Sequence, residues 1–171
     1  MSIRHRVRPI GAAALAELRA RDDAGRDCVP YTDEEGGAPL RCCLRPSAAG
    51  ERIALVSYAP LRRWAALTGA DPGAYDEQGP VFVHAEACGG PADGGAGDGG
   101  AYPFAEPGVQ RTARRYSARG HILGGRVLDL GEDPQAVLGR DLDEAFGDPE
   151  VALVHVRAAG FGCFLFEVRR P

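Results

Sequence analysis

No lysine and no asparagine occur among the 171 residues, so all 20 basic side chains are arginines. Codons for both missing residues are AT-rich, which points to a very GC-rich bacterial genome. Such a bias supplies Arg, Ala, Gly and Asp irrespective of function, so their abundance carries no argument. Long apolar runs are missing as well: nothing approaches the roughly 20 consecutive apolar residues that span a bilayer. The opening MSIRHRVRPIGAAALAELRARDD has a basic start and an apolar run. Glu17, Arg19 and Arg21 break that run before it forms a signal-peptide core. A cytoplasmic location without membrane attachment is the expectation. The formal charge of −4 leaves no electrostatic footprint for nucleic acid.

Cysteine is scarce and its spacing is unhelpful. Five cysteines (Cys28, Cys42, Cys43, Cys88 and Cys163) form an odd set, so reduced thiols are expected rather than a disulfide framework. No C-x-x-C pair occurs, which removes the strongest zinc and thioredoxin-like signals. PLRCCLRP (39–46) reads as a strand, where neighbouring side chains point to opposite faces. On that reading Cys42 and Cys43 are poor partners for one metal. His84 and Cys88, four apart in a strand-like run, can share a face with Phe82 and Glu86, and with His155 and Cys163 could form a mixed His/Cys site of tetrahedral type. These spacings are incomplete, so neither a metal nor a cofactor is expected. The Gly-rich 94–100 has no following helix and no G-K-[ST], and no G-x-S-x-G occurs.

What is present reads as an α+β fold: a mainly antiparallel sheet with two or three short helices in a single domain. Helices are predicted over 11–21, over 61–69 with Gly69 ending the second, and from an Asp133 N-cap with Pro134 at N1. VPYTDEEGGAP reads as turn throughout. Strands are predicted at 39–46, 52–60 and 79–88, with two more in 109–130 split near Gly120 or Gly124–Gly125. Residues 89–108, rich in Gly, Pro, Ala and Asp, cannot bury enough surface to offset their ordering entropy and are expected to form a mobile loop.

The closing VALVHVRAAGFGCFLFEVRRP predicts a hairpin of 151–157 and 163–169. Pairing Phe164, Phe166 and Val168 with Ala152, Val154 and Val156 makes one wholly apolar face. That register gathers His155, Arg157, Cys163 and Glu167 on the other face. A thiol beside two cationic side chains is favoured as thiolate, and an arginine there can clamp a carboxylate or phosphate.

GPVFVHAEAC (79–88), RCCL (41–44) before RIALVSYAP, RRY (114–116) and VHVRAAGFGCF (154–164) together resemble an uncharacterised bacterial family, the domain of unknown function 1203. The likeness runs in order over most of the chain. It carries over Arg41, Cys42, Gly79, Pro80, Phe82, His84, Cys88, Arg115, Tyr116, His155, Arg157, Gly162 and Cys163. Residues 89–101 and the segment LRRWAALTGADPG look like additions to the usual pattern. The resemblance implies a fold and a motif set and supplies no reaction.

Two functions follow. One is a cofactor-independent enzyme for a small anionic metabolite, with His155 and Cys163 catalytic and Arg157, His84, Arg115 and Tyr116 binding substrate. The other is a non-catalytic module that binds a small ligand or a protein through the same face.

Overall fold

Short runs of β-branched and aromatic residues, punctuated by Gly and Pro, build more strand than helix here. The computed structural model describes residues 5–92 and 101–170. In chain order these hold β1 (Arg6–Arg8), α1 (Ala12–Leu18), β2 (Tyr31–Asp33), β3 (Pro39–Leu40), β4 (Arg45–Pro46), β5 (Glu51–Tyr58), α2 (Pro60–Thr68) and β6 (Gly79–His84). They continue with β7 (Gln110–Ser117), β8 (Ile122–Asp129), α3 (Pro134–Gly147), β9 (Val151–Ala158) and β10 (Phe164–Arg169). The fold is α+β, but the strands form two five-stranded sheets rather than one. The first runs β1-β10-β9-β7-β8 and is antiparallel throughout; the second runs β2-β5-β6-β3-β4, with β3 parallel to β6.

Helix ends follow the local chemistry. The Asp133 side chain accepts from Ala136 N–H at 3.1 Å, and Gly69 closes α2 at φ 75°, its N–H donating to Ala65. Residues 118–121 divide β7 from β8 around Gly120, at φ 83°. Alternation then sorts the first sheet into two faces. Val7, Ala113, Val154, Val156, Phe166 and Val168 share a core with Leu138, Leu142, Ala145 and Phe146 of α3. On the other face Tyr116 and Leu153 pack with Leu61 and Trp64 of α2. Phe164 joins Ile10, Leu15, Leu18 and the second-sheet residues Ile53, Val56, Val81 and Val83.

Several elements differ from the sequence reading. PLRCCLRP is not one strand: Leu44 N–H donates to Leu40 C=O at 2.9 Å, and Leu44 takes φ 58°, so residues 41–44 coil into a turn between β3 and β4. Tyr31–Asp33, inside the expected turn, pairs with β5. Arg6–Arg8 adds an edge strand to β10, and β6 stops at His84, short of Cys88. The Gly-rich stretch falls in part, at 93–100, outside the described residues. Of its remainder, Tyr102 exchanges backbone hydrogen bonds with the Gln135 side chain, and Phe104 C=O accepts from the Arg111 guanidinium. No helix among the described residues is long and apolar enough to cross a membrane.

Candidate functional site

The hairpin register decides which side chains meet. Phe166 stands opposite Val156, Glu167 opposite His155 and Val168 opposite Val154, as the segregation of apolar residues predicts. Between Phe164 and Phe166 the ladder slips by one residue, so Phe164 pairs with Arg157. This bulge turns Phe164 onto the face of His155 and Glu167, a correction to the expected apolar face. Its ring lies edge-on to His155 at 5.0 Å between centroids and to Tyr58 at 5.5 Å.

Across the first sheet the cross-strand partners form one polar row: Arg8 of β1, Glu167 of β10, His155 of β9 and Arg114 of β7. His155 is fully buried. Its Nε2 is 3.0 Å from Glu167 Oε2, Tyr116 leans on its ring at 4.8 Å, and Nδ1 has no protein partner among the described residues. Burial drives the His155 pKa down, with Arg157 and Arg114 adding to the fall and Glu167 opposing it. A neutral imidazole donating from Nε2 satisfies this surrounding. Glu167 is also pressed upward by burial, but the His155 bond and Arg169 outweigh it and hold the carboxyl below its ordinary range.

Two cavities flank this row. The smaller, about 190 Å³, is lined by Arg157, Cys163, Glu77, Gly79, Pro80 and Phe161, among others. Arg157 donates to Glu77 Oε2 at 3.0 Å and to Gly162 C=O at 2.9 Å, while Arg114 contacts both Glu77 oxygens at 2.9 and 2.8 Å. Arg41 anchors the neighbourhood by donating from Nε to Phe164 C=O at 2.7 Å. Burial pulls Arg41 down to about 10, with Cys163 near enough to oppose the fall.

The larger cleft, about 800 Å³, opens between β1, β10, α1 and α2 and shares the wall Tyr58, Pro60 and Phe164 with the smaller one. Its apolar lining includes Ile10, Trp64 and Leu67. Arg6, Arg8, Arg63 and Arg169 stand against Glu17 and Glu167. Arg63 is held by Asp23 and Glu17, and Arg169 by Glu167. Arg6 and Arg8 make no ion pair among the described residues. Val7 points into the α3 core, so its two neighbours project together to the opposite side. Arg8 is lowered first by burial and next by Arg169.

The expected site residues therefore divide. His155, Arg157, Tyr116 and Glu167 share one face of the first sheet, and Cys163 joins Arg157 on a cavity wall. His155 and Cys163 make no hydrogen bond to each other: Nε2 is committed to Glu167, and Sγ lies 3.9 Å from Phe161 C=O. Arg115 alternates to the α3 side, where it pairs with Asp141 at 3.3 Å. His84 stands opposite Ile53, and Phe82 opposite Leu55, so His84 faces away from Tyr58 and the cleft. It belongs instead with Cys42, Cys43 and Cys88. Arg6, Arg8 and Trp64 escaped the sequence reading because they converge only through the β1–β10 pairing and the seat of α2; no motif marks them. No curated protein and no solved structure matches the chain. Residues 37–170, most of the chain, match the family described as Protein of unknown function (DUF1203), and the chain belongs to that family; Arg6, Arg8, Ile10 and Glu17 of the larger cleft precede the matched residues.

Proposed function

We propose that this protein is a small-molecule-binding module whose ligand is an amphipathic anion, a carboxylate or phosphate on an apolar body. The observation that carries the reading is the crowd of arginines Arg6, Arg8 and Arg169 beside the aromatic wall of the larger cleft, with Glu167 as the nearby carboxylate. The volume falls within the roughly 300–1,000 Å³ of small-molecule pockets. An anionic head among these arginines relieves like-charge crowding, and the body covers Ile10, Leu67 and Trp64. Arg157 and Cys163 extend the binding surface into the smaller cavity. Binding is favoured over catalysis because the His155 imidazole lines neither cavity and its Nε2 is occupied by Glu167.

Trp64 is the single tryptophan of the sequence and lines the cleft, so its emission reports occupancy. Titration with medium-chain and aryl carboxylates and phosphates, each paired with its neutral alcohol or amide, should give saturable changes for the anions only. Arg6→Ala/Arg8→Ala should weaken them at least tenfold. Equal responses to neutral and anionic probes, or no saturation, would reject the reading. Covalent turnover of a bound probe that is lost in Cys163→Ser would instead establish the enzymatic alternative.

A further inference from the structure

The four-residue cluster at the end of β6 stands apart from the cleft and independent of the function proposed for it. The turn over 41–44 is the reason it exists. Adjacent residues in a coiled turn diverge by roughly 100° rather than the 180° of a strand, so both sulfurs can reach one point. Cys42 Sγ and Cys43 Sγ lie 4.0 Å apart. His84 Nδ1 lies 3.4 Å from the first and 3.7 Å from the second. Cys88, four residues beyond His84, brings the third sulfur, and all four ligand atoms fall within 4.8 Å of one another.

These spacings are those of a tetrahedron around a zinc-sized ion. With Zn–S about 2.3 Å and Zn–N about 2.05 Å, ideal tetrahedral edges are about 3.8 Å for S···S and about 3.6 Å for S···N. The observed 4.0 Å matches the first edge, and 3.4 and 3.7 Å bracket the second. The surroundings also prepare the imidazole. Its Nε2 is 3.2 Å from Glu51 Oε1 and 3.4 Å from Arg45 Nη2. Arg45 already donates to both Glu51 oxygens and to Pro46 C=O. The closer carboxylate therefore takes the Nε2 hydrogen, leaving the Nδ1 lone pair directed at the sulfurs. A carboxylate behind a ligating histidine is the usual support that fixes its tautomer. The His84 backbone N–H donates to Cys42 Sγ at 3.2 Å, and the Arg19 guanidinium donates to His84 C=O at 3.0 Å, so the end of β6 is pinned beside the turn.

We propose that Cys42, Cys43, His84 and Cys88 form a structural Cys₃His zinc site. Four protein ligands fill the tetrahedron and leave no position for substrate, which distinguishes a structural from a catalytic centre. The ion ties the β3–β4 turn to the end of β6 and fixes the chain just before the Gly-rich stretch. Binding releases the thiol protons, so uptake strengthens as pH rises.

Protein purified under reducing conditions without chelator should carry about one zinc per chain by elemental analysis. Chelator-stripped protein titrated with cobalt should develop the visible absorption of a tetrahedral thiolate site, complete at one equivalent. Cys88→Ser and Cys43→Ser should weaken cobalt binding at least tenfold, while Cys28→Ser and Cys163→Ser should match wild type. Because a ligand variant can fail to fold, wild type provides a second measurement. Zinc should protect Cys42, Cys43 and Cys88 from alkylation, read by mass spectrometry, and leave Cys28 and Cys163 as reactive as in the stripped protein. Reduced wild type that takes up neither zinc nor cobalt overturns the site, as does uniform alkylation with and without zinc. So does undiminished binding in the folded Cys43→Ser and Cys88→Ser variants.

Discussion

Replacing His155 with glutamine tests whether the fully buried imidazole is held neutral. Glutamine keeps an N–H for Glu167 but cannot titrate. In the unfolded chain the imidazole takes a proton near its ordinary value of 6.5, whereas burial and the neighbouring Arg157 and Arg114 lower that value in the fold. The folded state then binds fewer protons than the unfolded state below pH 6.5, so stability falls as pH falls through that window. One proton gives a slope of at most about 1.4 kcal/mol per pH unit, and integrating from 6.5 to 5 gives at most about 2 kcal/mol. Urea unfolding at pH 7, 6, 5.5 and 5 measures it, with constant m-values confirming that the same transition is followed. Wild type should lose stability over this range more steeply than His155→Gln, and subtraction removes the shared contributions of the other histidines. Parallel curves would refute the neutral, buried assignment. Glu167 acts in the same direction at lower pH: its depressed carboxyl stabilises the fold above about 4.5, and that contribution is lost as pH falls further.

Phe166→Ala should cost about 3–5 kcal/mol in urea unfolding, since the ring is wholly buried in the α3 core. Phe164→Ala should also destabilise, and should additionally alter Trp64 emission because Phe164 walls the cleft that Trp64 lines. Gly120→Ala should cost about 1–2 kcal/mol for the left-handed conformation alone, with a further penalty because a Cβ there would sit 3.0 Å from Pro72 Cβ. Iodoacetamide should label Cys163 ahead of Cys28 at pH 8, because burial pushes the Cys28 thiol up; equal rates by mass spectrometry would contradict this.

The sequence carried most of the fold wherever one signal acted alone. Asp133-Pro134 and Gly69 marked helix ends through chemistry that needs no tertiary help, and the β9–β10 register followed from keeping Val154, Val156, Phe166 and Val168 together. The failures share a cause. β1 and β2 are three-residue edge strands whose hydrogen bonds come from distant partners, β10 and β5, so Arg6–Arg8 and Tyr31–Asp33 offered too little pattern to detect. The bulge at Leu165 is likewise tertiary. Strict alternation places Phe164 beside Phe166, and only the packing of Phe164 against Tyr58 and the second sheet draws it to the other face.

The candidate sites show the same division more sharply. His155, Arg157 and Glu167 were legible because strand alternation alone puts them on one face. Strand alternation puts Arg115 and Tyr116 on opposite faces, but their partners Asp141 and His155 come from α3 and β9, which no local pattern reveals. Adjacent cysteines are poor partners for one ion on a strand and good ones in a turn. PLRCCLRP has the composition of either, and Leu44 at φ 58° settles the matter by bending the chain after two residues of β3. Once residues 41–44 coil, adjacent cysteines stop being an argument against a shared ligand and become the shortest way to place two sulfurs on one side. The remaining donors then need only the two ends of His84-x₃-Cys88, a spacing with its own precedent among zinc ligand pairs.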